Sequence, residues 1–252
     1  AYLSKGENKT ALKLAEQWRS DYSDTLSIQV DYIRGAALMR LENYTKALSV
    51  FTDIVREHVP EGGGRIRRLA AYNRIVCLFE LENYKQLSET CAQFLDTYPD
   101  SPKKATVHFF LGKALVKNDA YSEAAPHFRQ ARDQREKDWQ YWIAASLALA
   151  TCYEQVGDYS NAAEIYRKLA QHDSVEQKGQ MYIRAAEASV RAEDVQSAMQ
   201  DYKTVLKEFR ESSELIRNAV LRLLEIYTET QQYKEAVMFL KEQTAGEGLD
   251  AE

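Results

Sequence analysis

One short phrase is written seven times along this chain. The segments GENKTALKLAEQW, LENYTKALSVFTDI, LENYKQLSETCAQF, KNDAYSEAAPHFRQA, VGDYSNAAEIYRKL, AEDVQSAMQDYKTV and TQQYKEAVMFLKEQ share one grammar. A turn comes first, usually followed by an aromatic, two polar residues, a small residue, and an apolar or aromatic residue four positions on. The small position falls at Ala11, Ala47, Leu87, Ala124, Ala162, Ala198 and Ala236, so successive copies lie 36, 40, 37, 38, 36 and 38 residues apart. A period of that size predicts stacked helical hairpins, because one such unit cannot bury its apolar face alone. The expected fold is all-α, a right-handed α-solenoid of about thirteen helices.

The unit beginning near Ile143 shows the physics. Leu149, Ala150 and Tyr153 share one face of a first helix. Gly157 and Asp158 break it, and Ala162, Tyr166 and Leu169 recur at i, i+4 and i+7 on a second helix. The alanines let the two helices approach, and the aromatics fill the space toward the next unit. A hydrophobic fraction of 45% suffices for a continuous core of this kind, and only four prolines interrupt it.

These residues resemble the tetratricopeptide repeat. That family prefers small residues at positions 8 and 20 of a 34-residue frame, aromatics at 11 and 24, and a small or apolar residue at 27. The third unit offers Gly112, Leu115, Ala124, Phe128 and Ala131; the first offers Gly35, Leu38, Ala47, Phe51 and Ile54. The last offers Leu224, Tyr227, Ala236 and Leu240, and the second departs most, with Ile75, Leu87 and Cys91. The resemblance sets one solenoid domain over 1–252, with units at about 28–61, 68–101, 105–138, 143–176, 179–212 and 217–250. A partial unit, about 1–25, precedes them. Its second helix carries Ala11, Ala15 and Trp18, and its first is expected to be a stub near Tyr2. The solenoid ends are expected to leave apolar surface open.

The run Tyr98-Pro99-Asp100-Ser101-Pro102, followed by Gly112 and Ala120-Tyr121, is similar to bacterial cell-envelope repeat proteins of the outer-membrane assembly lipoprotein and Tol-Pal coordinator type. That similarity implies a periplasmic or envelope location, with the cytoplasm as the alternative. Locally the same run is a turn, with prolines stopping one helix and Asp100 or Ser101 capping the next. No secretory leader is visible and Ala1 is not an initiator, so a processed terminus or an edge within a longer chain is expected.

Several chemistries find no support. The net charge of −5 argues against nucleic acid and anionic membrane as partners. No apolar run approaches the roughly 18 residues of a membrane span. Cys77, Cys91 and Cys152 form no CxxC pair and each sits in a helical apolar pattern, which reads as buried thiols. There is no GxSxG, HExxH, GxGxxG or GK[ST] motif, and His58, His108, His127 and His172 read as scattered, without a second ligand at helical spacing. No enzyme, metal or cofactor is expected. The link HVPEGGGRIRR reads as a flexible connection or, less simply, an anion or partner contact. Trp139, Tyr141 and Trp142 either pack a junction between units or anchor a partner.

Binding of a protein or peptide remains. In the tetratricopeptide family the first helices line a concave groove, through positions 2, 5, 9, 12 and 13. By register, position 5 gives Tyr32, Tyr72 and Phe109 in three successive units, and position 12 adds Met39 and Phe79. Lys113 and Lys117 flank this stripe. It either takes an apolar peptide or helix, or packs sideways against adjacent helices. The C-terminal half is ionic instead, with Arg184, Glu187, Arg191, Arg222, Glu225 and Glu229. The Lys/Asn clamp of chaperone-binding relatives is absent: Asn73 stands at one of its positions, but Tyr32, Ala36, Thr106 and Phe110 hold others. Self-association through open ends and service as a recognition or regulatory domain of a larger enzyme stay open as alternatives.

Overall fold

A computed structural model describes residues 2–21, 27–56, 64–133 and 141–246. Among them are thirteen α-helices and no strand. A 3-10 turn at Leu3–Lys5 precedes α1 (Asn8–Asp21). Six hairpins follow: α2 (Ser27–Arg40) with α3 (Tyr44–Arg56), α4 (Gly64–Glu80) with α5 (Tyr84–Thr97), α6 (Lys104–Val116) with α7 (Tyr121–Asp133), α8 (Trp142–Gln155) with α9 (Tyr159–Ala170), α10 (Lys178–Arg191) with α11 (Val195–Glu208), and α12 (Ser213–Glu229) with α13 (Tyr233–Gly246). The chain divides into two compact units, Ala1–Ala145 and Ser146–Glu252. No helix is long and apolar enough to cross a membrane among the described residues.

Every hairpin turns on one backbone device. Glu42, Glu82, Asp119, Gly157, Glu193 and Gln231 all have positive φ, between 52° and 81°. Each occupies the same register position. The N–H of each residue bonds a carbonyl three back, as from Glu82 to Phe79, and the next N–H reaches five back, as from Asn83 to Leu78. This pair of bonds is a Schellman closure, which satisfies the orphan carbonyls of the first helix. In four of the six hairpins the second helix then starts on an accepting side chain, Asn43, Asn83, Asp158 or Asp194. Asn83 Oδ1 takes the Gln86 N–H at 3.3 Å and Asp194 Oδ1 takes the Ser197 N–H at 3.1 Å.

The repeated small position works as expected. Ala47, Ala124, Ala162 and Ala198 are fully buried, and so are Leu87 and Cys91 in the divergent second hairpin. Position 24 supplies the large core rings Phe51, Phe128, Tyr166 and Tyr202. Each such ring contributes roughly 1.5–3 kcal/mol by burial. Two hairpins pack backbone against ring. A Cβ on Gly35 would lie 2.7 Å from Phe51 Cε1, and one on Gly112 would lie 2.8 Å from Phe128 Cε1.

In the second unit the core runs through Ile183, Ala186, Tyr202, Val205, Leu223 and Tyr227 to Phe239. The last hairpin is looser. Ala236 is only partly buried, and Leu240, at the position of the core rings, is exposed. Tyr233, Val237 and Met238 of α13 are exposed as well, Met238 at 63%. Apolar side chains of the last hairpin therefore stand open.

Candidate protein-interaction site

Position 5 and position 12 residues sit on α2, α4 and α6, the first helices of three successive hairpins in the first unit. Tyr32, Met39, Tyr72 and Phe79 are half-buried, Lys113 is half-buried, and Lys117 is exposed. Tyr32 leans on Phe51 at 5.9 Å, and its hydroxyl accepts a hydrogen bond from Asn73 Nδ2 at 3.2 Å. Tyr72 meets Phe94 edge-on at 6.4 Å, with Lys103 Nζ 5.0 Å from its ring centre. Its phenol is pushed up to about 12, first by burial and then by the neighbouring Tyr141. Phe79 stacks on Phe110 at 4.6 Å.

Phe109 departs from the expectation of an exposed stripe. It is 6% exposed and stacks on Tyr141 at 4.9 Å, with Phe128 edge-on at 5.9 Å. Three aromatic neighbours, Phe110 being the third, enclose it, so it supports the stripe from below instead of presenting a surface. The remaining rings also pack sideways, but each keeps part of its face outside. Lys117 Nζ lies 5.4 Å from the Tyr84 ring centre, which holds its charge beside the stripe. Tyr141 packs against Phe109 and Phe110, and Trp142 is buried. Trp139 and the glycines Gly62 and Gly63 lie outside the described residues.

The ionic face of the second unit is largely paired within itself. Glu154 Oε2 accepts from the Tyr166 hydroxyl at 3.0 Å and pairs with Arg184 at 3.5 Å, while the Arg184 guanidinium lies 4.3 Å from the Tyr166 ring centre. Arg191 covers the Tyr159 ring at 4.1 Å and donates to its hydroxyl. Arg222 pairs with Glu225 at 2.8 Å. A groove of about 440 Å³ runs over these groups, and Glu187 and Glu229 line it.

Three polar clusters escaped sequence reasoning. Asp31, buried, pairs with Arg19 at 3.2 Å and Arg34 at 3.3 Å. Asp201, also buried, takes both carboxylate oxygens to Arg167 Nε, at 3.1 and 2.8 Å, and the same guanidinium donates to Ser189. Burial raises the Asp201 carboxyl, against the lowering effect of Arg167. Most unexpectedly, His108 and His127 are not scattered. They share the α6–α7 hairpin, with Nδ1 atoms 3.0 Å apart and rings stacked at 5.2 Å. One ring must donate and the other accept, so the accepting ring is neutral, and burial disfavours charge on either. His108 is held down to about 4, by burial first and then by His127 and Lys104, and burial lowers His127 too.

Among the described residues no three His, Cys, Asp or Glu side chains converge as a metal would need. The three cysteines are buried and unbonded, and burial raises Cys152 to about 11 and Cys77 to about 12. Such thiols are poor nucleophiles at neutral pH.

Hairpins of this geometry, each bent at the same left-handed residue and packed through the same small position, define a protein of helical repeats. The family model of the tetratricopeptide repeat matches residues 111–181. The fold is that of the tetratricopeptide-repeat solenoids. YrrB, described as a tetratricopeptide-repeat protein with an unusual peptide-binding site, is similar with a TM-score of 0.60 at 14% identity, over 83% of this chain and 98% of that one. A tetratricopeptide-repeat protein from Parabacteroides merdae gives a TM-score of 0.55 at 18% identity, over 97% and 88%. MamA from Desulfovibrio magneticus gives 0.55 at 17% identity, over 74% and 97%. No curated protein sequence matches the chain.

Proposed function

We propose that this chain is a non-catalytic scaffold that holds a peptide or helix of a protein partner against the first helices of its first unit. The observation that carries this reading is the recurrence of Tyr32, Met39, Tyr72 and Phe79 at equivalent positions of successive hairpins, each half-exposed. Half-buried aromatics held rigid by ring contacts lose little entropy on binding, which suits them as anchors. Met39 adds an adaptable surface, and Lys113 and Lys117 set polarity at one end. The peptide-binding site reported for YrrB is in keeping with this reading, although it rests on fold likeness alone. The raised thiols and the histidine pair supply no nucleophile–base arrangement, which supports a binding role over a catalytic one.

Peptide-display selection on the purified chain tests the proposal. Selected peptides are expected to lose about thirtyfold in affinity with Tyr72→Ala or Phe79→Ala, roughly 2 kcal/mol for a central aromatic anchor. Thermal midpoints measured alongside establish that each variant is folded at the assay temperature. Folded variants that bind the selected peptides at full strength would refute this site. A bacterial envelope location is part of the same proposal and rests on the Tyr98–Pro102 junction. Fractionation of the native source would decide it, and recovery in the cytoplasmic fraction would remove that part.

A further inference from the structure

A second surface lies at the other end of the chain, on different elements and with different chemistry. Between α11 and α13, with α12 as its floor, opens a cleft of about 1110 Å³. That exceeds the few hundred to about 1,000 Å³ typical of small-molecule sites. Its floor and inner walls are apolar: Leu206, Ile216, Val220, Met238 and Phe239. The two rims are charged with opposite sign. Lys203, Lys207 and Arg210 follow one another at i, i+4 and i+7 along the α11 side, with Arg217 beyond them on α12. Glu235 and Glu242, seven residues apart, line the α13 side. None of the four cations makes an ion pair with a described residue. Glu208, Glu211 and Glu214, close by in the sequence, lie outside the lining.

We propose that this cleft is a docking groove for an amphipathic helix of a protein partner, one that carries carboxylates along the edge facing α11. The shape is that of a helix-in-groove site, where an apolar stripe at i, i+3, i+4 and i+7 seats on the floor. The charge arrangement selects the occupant. An acidic edge meets Lys203 and Lys207 of α11, Arg210 of the following turn and Arg217 of α12, and a basic or neutral opposite edge avoids repulsion from Glu235 and Glu242. The partner's acidic edge thereby fixes which way round the helix lies. The cleft is open because the last hairpin is loose, with Ala236 and Leu240 uncovered where equivalent residues elsewhere are buried.

The test uses the full chain and two synthetic helical peptides with one identical Leu/Met stripe. In the first, Glu runs along one edge and Lys along the other; in the second, every charge on both edges is Lys. Fluorescence anisotropy at low salt should show the first peptide binding at least about tenfold more tightly than the second, the gain expected of steered, complementary charge. The double variant Lys207→Glu with Arg210→Glu changes side chains at the rim only and should reverse that order. Tyr72→Ala with Phe79→Ala should leave it unchanged, which separates this groove from the site on the first unit. Equal binding of the two peptides, or an unchanged order in the Lys207→Glu, Arg210→Glu variant, would overturn the proposal. So would a dimer in light scattering that dissociates with Met238→Asp, because a second copy would then own the groove.

Discussion

Replacing Gly112 with Ala sets two effects of known sign against each other. Alanine is the better helix former by about 1 kcal/mol, and in an unhindered helix the variant would be more stable. Here the new methyl carbon would lie 2.8, 2.9 and 3.0 Å from Phe128 Cε1, Cζ and Cδ1. Phe128 is fully buried, and Phe109 lies edge-on against it. The ring cannot swing away without displacing a second ring. Overpacking of such a site costs about 1–3 kcal/mol, so the net effect is a loss of about 1 kcal/mol. In a chain of this size that lowers the thermal midpoint by about 2–4 °C. The assay is a double-mutant cycle by circular dichroism with Phe128→Leu, which removes the obstructing ring. In the Phe128→Leu background, Gly112→Ala should become neutral or stabilising, giving a coupling of about 1–2 kcal/mol. The matching positions in α8 and α10 are already Ala150 and Ala186, in register with Tyr166 and Tyr202, so those hairpins are spaced for a methyl group. If Gly112→Ala raises the midpoint in the parent background, the close approach does not exist and the reasoning fails.

Asp201→Ala should cost about 2–3 kcal/mol, because it leaves the Arg167 guanidinium without its buried partner; adding Arg167→Met should recover part of this in urea unfolding. The histidine pair should make stability acid-sensitive. An unfolded histidine binds its proton near 6.5, whereas folded His108 resists to about 4. Stability is therefore full above pH 6.5 and is lost as the pH falls toward 4, by roughly 2–3 kcal/mol for His108. Unfolding midpoints well above and well below the ordinary histidine range should differ accordingly, and His108→Leu should shrink the difference. Metal analysis of protein purified without chelator should find no stoichiometric ion, and one tightly held Zn or Fe per chain would contradict the scaffold reading.

The repeat was legible because helix–turn–helix packing imposes a fixed period on small and large residues. Ala124 and Phe128 could be placed in the core from spacing alone, and even Leu87 and Cys91 fell into register although their side chains depart from the family's preference. What spacing cannot give is the side-chain direction beyond Cβ. Phe109 shares its register with Tyr32 and Tyr72, yet Tyr141, from the start of the next hairpin, covers it. Contacts between elements were equally hidden. His108 and His127 stand 19 residues apart, a separation that has no helical meaning until α6 and α7 lie side by side. Nothing in the spacing marks Asp31 or Asp201 as buried, and their partners Arg19 and Arg167 lie 12 and 34 residues away on other helices.

The left-handed turn residues carry a further consequence, for colloidal behaviour. Of the six, only Gly157 adopts its backbone without a side-chain penalty. A non-glycine residue there gives up about 1 kcal/mol, and four of the five that do so are Glu42, Glu82, Asp119 and Glu193. Each spends conformational ease to hold a carboxylate at a hairpin tip, where it also precedes the positive N-terminal end of the next helix. Exchanging these four for glycine would relax the backbone but take the formal net charge from −5 to −1, since each removes one negative charge. A protein with apolar faces as open as those of α13 would then approach zero charge, where association and precipitation set in. The bends thus hold four of the charges by which two copies of this chain would repel each other.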